Sequence, residues 1–232
     1  MDCNYKCVTE IDKIKAYLSN AKTIAFDFET APTSAYRNDA FASLNSNTAD
    51  VTGVSFSVEK GSGIYVPLQH QPPFINADCD EVTNLLFQIM TDKTITKIAH
   101  NLSFESMFLY KMGIVPQTPV YDTLTAHLMA LKSRYEFNTL GDSGLKKLAA
   151  EYFGVDMIGF EELTNGRHFD ELAPTDTRII TYTCSDSDYT LRLYYFLNEW
   201  FDKNLPKRRH HGRRKHAFKN CRRRGRRRQK RD

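Results

Sequence analysis

The chain has 232 residues, 41% hydrophobic and 26% charged, which supplies a sizeable core and excludes a disordered or low-complexity protein. Its net charge of +4 conceals a division: residues 207–232 hold 15 of the 32 Lys/Arg and one of the 28 acids, so they carry +14 and the body −10. An acidic body does not hold nucleic acid through bulk charge, so phosphate chemistry there needs metal ions or a local basic patch.

In chain order, residues 9–20 carry Ile11, Ile14 and Leu18 at helical spacing, with Thr9 placed to cap. Residues 23–28 (TIAFDF) read as a buried strand, and the polar stretch 31–50 as a loop. Residues 51–58 alternate as a strand, Gly61 and Gly63 mark a turn, and 64–67 are the hairpin partner. Residues 78–90 form a helix with Val82, Leu85, Leu86 and Ile89 inward, and 94–99 a β-branched strand. Helices follow over 103–111 (ended by Gly113), from a cap at Asp122 through Leu131, over 140–153 (closed by Gly154) and over 175–200. The pattern predicts an α/β domain over residues 1–206, a mixed sheet with helices packed around it.

Residues 207–232 bury no core and are predicted to be disordered. Three readings stay open for this tail: a nucleic-acid-binding arm, a solvated tail, or a sequence altered by a shifted frame or a truncation. No apolar run nears the roughly 18 residues of a membrane span, and the first residues lack the regions of a signal peptide. The five cysteines at 3, 7, 79, 184 and 221 are scattered, as reduced thiols are, and Cys3 and Cys7 have no second ligand pair for zinc. The expectation is a cytoplasmic protein without membrane attachment.

The carboxylates carry the chemistry. Asp27 and Glu29 interrupt an apolar strand and point to one face, where they repel each other unless a cation lies between them. A strand end in water would tolerate the same pair without function. Glu105 stands in the first turn of a helix that follows a strand, a common place for α/β sites and a favourable one for any acid at a helix dipole. Tyr182 and Asp186 are four residues apart on the last helix and share a face, while Asp188, about 200° around, is expected to face solvent. Together, Asp27, Glu29, Glu105 and Asp186 suit two Mg²⁺ or Mn²⁺ ions for phosphodiester hydrolysis, with Tyr182 on the attacking water.

The order D-F-E, H-N-L-S-F-E and Y-T-C-S-D resembles the three motifs of the DEDDy 3′→5′ exonucleases, whose fold is ribonuclease-H-like. More narrowly, V-Y-D-T-L-T-A-H-L-M, G-L-K-K-L-A-A-E-Y-F-G and G-F-E-E-L-T-N-G-R-H-F-D-E-L resemble the proofreading domain of family A DNA polymerases, from about residue 20 to 205. The resemblance implies catalytic or metal-binding roles for Asp27, Glu29, Glu105, Tyr182 and Asp186. It implies contact with the terminal nucleotide for Thr30, Asn101 and Phe104, base stacking for Phe169, and a helix-capping or supporting role for Asp122. It also implies single-stranded DNA 3′ ends as substrate and a family A polymerase domain as partner, in cis or in trans. The second-motif acid is usually Asp, and here it is Glu105. A ribonuclease D-type RNA exonuclease and a silent DNA-binding scaffold are the alternatives.

Overall fold

The computed structural model describes residues 3–132 and 143–205. The basic tail and the first residues of the helix expected over 140–153 lie outside this range. The chain starts with strand β1 (Asn4–Cys7), which sequence reading missed because its four residues alternate only weakly between exposed and half-buried. Helix α1 (Ile11–Leu18) follows, and Glu10, not Thr9, takes its N-cap position. Strand β2 (Thr23–Pro32) runs four residues past its expected end, so the loop begins only at Thr33. Then come β3 (Ala49–Ser57), β4 (Ser62–Pro67) and α2 (Cys79–Thr91), whose first turn is capped by the Asp78 carboxylate accepting from the Glu81 N–H. Next are β5 (Thr96–Ala99), α3 (Leu102–Lys111), the short β6 (Val120–Asp122), again missed, and α4 (Thr123–Lys132). Helices α5 (Leu145–Phe153), α6 (Phe160–Thr164) and α7 (Thr177–Asn204) complete the described chain.

The six strands form one sheet in the order β1-β4-β3-β2-β5-β6. β3 runs antiparallel to β2 and β4, and the other pairs are parallel. Strand alternation decides which residues meet which layer. Ile24, Phe26 and Phe28 of β2 join Ile14, Leu86, Met90 and Leu109 in the larger core beneath α1, α2 and α3. On the opposite face Ala25 packs with Ile98 and with Leu191 of α7. Asp27 and Glu29 belong to that second face, under α7.

Helix α7 is 28 residues long, about 42 Å at 1.5 Å per residue, and it crosses the sheet from β1 to β6, where its Tyr194 meets Tyr121 with ring centroids 4.8 Å apart. It lies close because small residues meet small residues: a Cβ on Gly63 of β4 would stand 2.8 Å from the Cys184 Cβ. Asp188 is fully buried, contrary to expectation. It accepts from the Tyr5 hydroxyl at 2.7 Å, from the Gly61 N–H at 3.0 Å, and from Arg192 at 3.0 and 2.8 Å. The unforeseen strand β1 widens the sheet and brings Tyr5 over the helix face that would otherwise be wet.

Opposite the two acids of β2 stand Ser55 and Gly53 of β3. The Tyr65 ring from β4 lies across Gly53, where a Cβ would come within 2.2 Å of the Tyr65 Oη. That ring is fixed by its bond to His70 Nε2 at 2.7 Å, so it has no free direction to yield. Gly53→Ala is expected to cost about 1–3 kcal/mol in urea unfolding. Gly159→Ala, where a Cβ meets nothing within 4 Å, is expected to stay within about 0.5 kcal/mol. Equal losses would refute the close approach.

Candidate active site

β2 and α7 cross with their acids facing. One carboxylate oxygen each from Asp27, Glu29 and Asp186 lies within 4.8 Å of the other two. Oxygens that ligate one hard cation at 2.0–2.6 Å lie no more than about 4–5 Å apart, so the trio fits a divalent ion. Glu29 and Asp186 are buried and Asp27 is half-buried. Glu29 Oε1 is buried with no hydrogen-bond partner, an uncompensated acceptor that a cation would satisfy.

Glu105 stands outside the trio, 2% exposed, in the first turn of α3, and its Oε2 is likewise buried without a partner. Burial and then the charge of Asp27 push its carboxyl well above the usual range. Asp27 and Glu29 are raised the same way, by burial first and then by neighbouring carboxylates. Asp186 is raised by burial, and the Lys146 ammonium offsets part of that.

The Tyr182 ring sits one turn before Asp186, 7% exposed. Burial, then Glu29, Asp186 and Asp27, drive its phenol far above its ordinary pKa, so it stays protonated. The α3 N-cap, Asn101, is exposed in the left-handed conformation at φ 72°, and its N–H donates to Asp122 Oδ1 at 3.0 Å. The same Asp122 oxygen accepts from the Leu124 N–H, so one carboxylate ties the start of α3 to that of α4. Phe104 is half-buried against Phe108, with centroids 5.1 Å apart.

Two expected nucleotide contacts are placed differently. Thr30 is buried, and its hydroxyl donates to the Ser43 carbonyl at 2.7 Å, which pins the following loop. Phe169 does not offer its ring for stacking: it is 1% exposed among Tyr65, His70, Phe160 and Tyr182. Phe160 stacks on it at 6.4 Å and 17° and is itself 43% exposed, so the available aromatic face belongs to Phe160. Exposure within an aromatic pair is a tertiary property, so no local sequence signal distinguishes Phe160 from Phe169.

Lys146 was also missed. From α5 its Nζ reaches 3.2 and 3.5 Å from the two Asp186 oxygens and lies 4.0 Å from the Tyr182 ring centroid. An open cleft of about 440 Å³ adjoins this group, lined by Asp27, His100, Lys146, Lys147 and Asp186 among others. Burial lowers the His100 pKa to about 4, so its ring is neutral near pH 7 and bonds Thr123 Oγ1 through Nδ1.

A mixed sheet of this order, crossed by a long last helix, places the molecule in the ribonuclease-H-like class. Solved structures agree at the level of fold. Brucella melitensis NrnC matches with a TM-score of 0.59 at 20% identity, over 86% of this chain and 82% of that one. Escherichia coli RNase D, described as an exoribonuclease involved in structured RNA processing, matches with a TM-score of 0.60 at 19% identity, over 86% and 46%. The family profile described as 3′-5′ exonuclease, of the DNA polymerase A type, matches residues 4–201, and the chain belongs to that family. DNA polymerase I of Pseudomonas aeruginosa is 28% identical over 78% of this chain, and that of Borreliella burgdorferi 26% identical over 82%. The chain spans about one-fifth of these relatives, 18% and 19% of their lengths.

The raised carboxyls make stability depend on pH in a defined sense. Their folded pKa values exceed the unfolded ones, so the stability they lend is complete below the ordinary carboxylate range. It is lost as pH rises through the raised values. In EDTA, the unfolding free energy should therefore fall as pH rises above the ordinary carboxylate range, by at most about 1.4 kcal/mol per pH unit per titrating group. Asp27→Asn should flatten this fall in pH-dependent denaturant titrations. Stability that rises with pH in this window, or a slope untouched by the substitution, would contradict it.

Proposed function

We propose that residues 1–206 form a 3′→5′ exodeoxyribonuclease domain that hydrolyses the terminal phosphodiester of single-stranded DNA and releases nucleoside 5′-monophosphates. The observation that carries this reading is the meeting of Asp27, Glu29 and Asp186 within ligand distance in a chain of the 3′-5′ exonuclease family. Two divalent cations, Mg²⁺ or Mn²⁺, would be held by Asp27, Glu29, Asp186 and Glu105. When bound, they supply Lewis-acid stabilisation of the phosphoryl oxygens and a more acidic attacking water.

The chain's own groups act by position. The Tyr182 phenol, kept neutral, orients the water by a hydrogen bond and takes no proton from it. Glu29 accepts from the terminal 3′ hydroxyl through one carboxylate oxygen and leaves its unpartnered Oε1 to the cation. Asn101 and Phe104 line the terminal nucleotide at the start of α3. Phe160, backed by Phe169, offers a stacking face that tolerates any base. The domain serves as the proofreading unit of a family A polymerase, in cis or in trans, as the DNA polymerase I relatives suggest. No described helix is long and apolar enough to cross a membrane.

A 5′-labelled single-stranded DNA should give a ladder shortening from its 3′ end with Mg²⁺ or Mn²⁺ and none with EDTA. Asp27→Ala and Asp186→Ala should abolish it while the fold persists. Tyr182→Phe should lower kcat by roughly a hundredfold at unchanged KM. Faster loss of an RNA oligonucleotide would assign the chain to the ribonuclease D-type reading. No ladder from folded, metal-supplied protein would favour the silent scaffold, with Glu105→Asp as the variant to restore cleavage.

A further inference from the structure

Lys146 has no part in the chemistry above, yet it has the most direct contact with it. We propose that its ammonium is a tethered counter-ion of the carboxylate cluster, seated on Asp186 until a divalent cation displaces it. The inference rests on the reading of Asp27, Glu29 and Asp186 as cation ligands.

The geometry is that of a placeholder. The Nζ is shared unevenly between the two Asp186 oxygens, at 3.2 and 3.5 Å. Charge-assisted bonds of this kind close to about 2.7–2.9 Å when they are optimal. The ammonium also rests on the Tyr182 ring face, so it is cradled by a carboxylate and an aromatic and fixed by neither. The Lys146 side chain keeps 34% of its surface exposed, whereas that of Asp186 keeps 10%. The adjoining cleft of about 440 Å³ gives the stem room to turn.

Occupancy of Asp186 is exclusive for charge reasons. A dication bound by Asp186 would sit within a few ångströms of the ammonium, and the low dielectric of the site strengthens their repulsion. Without the dication, the ammonium is the charge that lowers the cost of burying Asp27, Glu29 and Asp186 together. Lys146 is thus a positioning residue: it keeps the acids assembled and sets a threshold that the cation must exceed.

The test is Mn²⁺ binding to the full chain, followed by the electron paramagnetic resonance of the free ion, for wild type, Lys146→Met, Lys146→Gln, Lys146→Arg and Asp27→Asn. Both neutral variants should bind Mn²⁺ tighter, about tenfold, as expected when one competing charge is removed, while Lys146→Arg stays near wild type. Structural damage would weaken binding, which is the opposite direction. The melting temperature should also rise more with Mn²⁺ in Lys146→Met than in wild type, and a Lys146→Met chain that folds only with Mn²⁺ would be the extreme form of the same result. Wild-type or weaker affinity in both neutral variants overturns the counter-ion role while leaving the cation site standing. Failure of the wild type itself to bind Mn²⁺ any better than Asp27→Asn overturns the cation site, and the counter-ion role with it.

Discussion

The constraint on which the structure turns is the burial of like charges. Asp27, Glu29 and Asp186 meet between a sheet and a helix, in a place otherwise given to apolar packing. Bringing carboxylates out of water is costly, and bringing them together adds repulsion. The protein answers with raised carboxyl pKa values and one ammonium. The surrounding fold makes room for this arrangement. Ser55 and Gly53 stand opposite the acids on β3, so no bulky side chain presses on them from that strand.

The scaffold offsets the strain elsewhere. The odd-numbered face of β2 carries the acids, and the even-numbered face carries Ile24, Phe26 and Phe28 into the larger core. Each such side chain, fully buried, contributes roughly 1.5–3 kcal/mol. Helix α7 works in the same divided way. Leu191, Leu193 and Leu197 are buried, Asp188 locks the helix to β1 through Tyr5, and Asp186 is left to the site. The loop after β2 is held at both ends, by Thr30 on Ser43 and by Arg37, which grips Asp170 with two bonds of 2.8 Å and Glu171 with one. The segment carrying Phe169 is thereby tied, through the loop that follows β2, to the strand carrying Asp27 and Glu29.

The legibility of this arrangement in the sequence follows physical range. Asp27 and Glu29 were visible because a period-2 strand makes two interrupting acids conspicuous. Tyr182 and Asp186 were visible through helical spacing. Edge strands β1 and β6 were not, since three or four half-exposed residues leave no periodic signal. Missing β1 is what sent Asp188 to the wrong side of its helix face. Lys146 is one of two adjacent lysines at the start of an amphipathic helix, and nothing local distinguishes the one that meets Asp186. The Phe169 and Phe160 pair fails for the same reason: the sequence supplies two aromatics nine residues apart, and only packing decides which is covered.

Glu105 bears on whether the site is a relic. It keeps its charge-bearing group at 2% exposure, with one oxygen unpartnered, in the field of Asp27. A domain that served only as a support would lose nothing by exchanging these acids for apolar residues of similar volume. Such exchanges of buried charges are often neutral or stabilising. Four buried or half-buried carboxylates converging from β2, α3 and α7 are therefore a standing cost to stability, and a scaffold has no use for it. Local violations of packing rules of this kind concentrate at functional sites. The extra methylene of Glu105 lengthens its reach but removes none of that cost. The energetics of the fold thus argue for a working hydrolytic centre over an inert support.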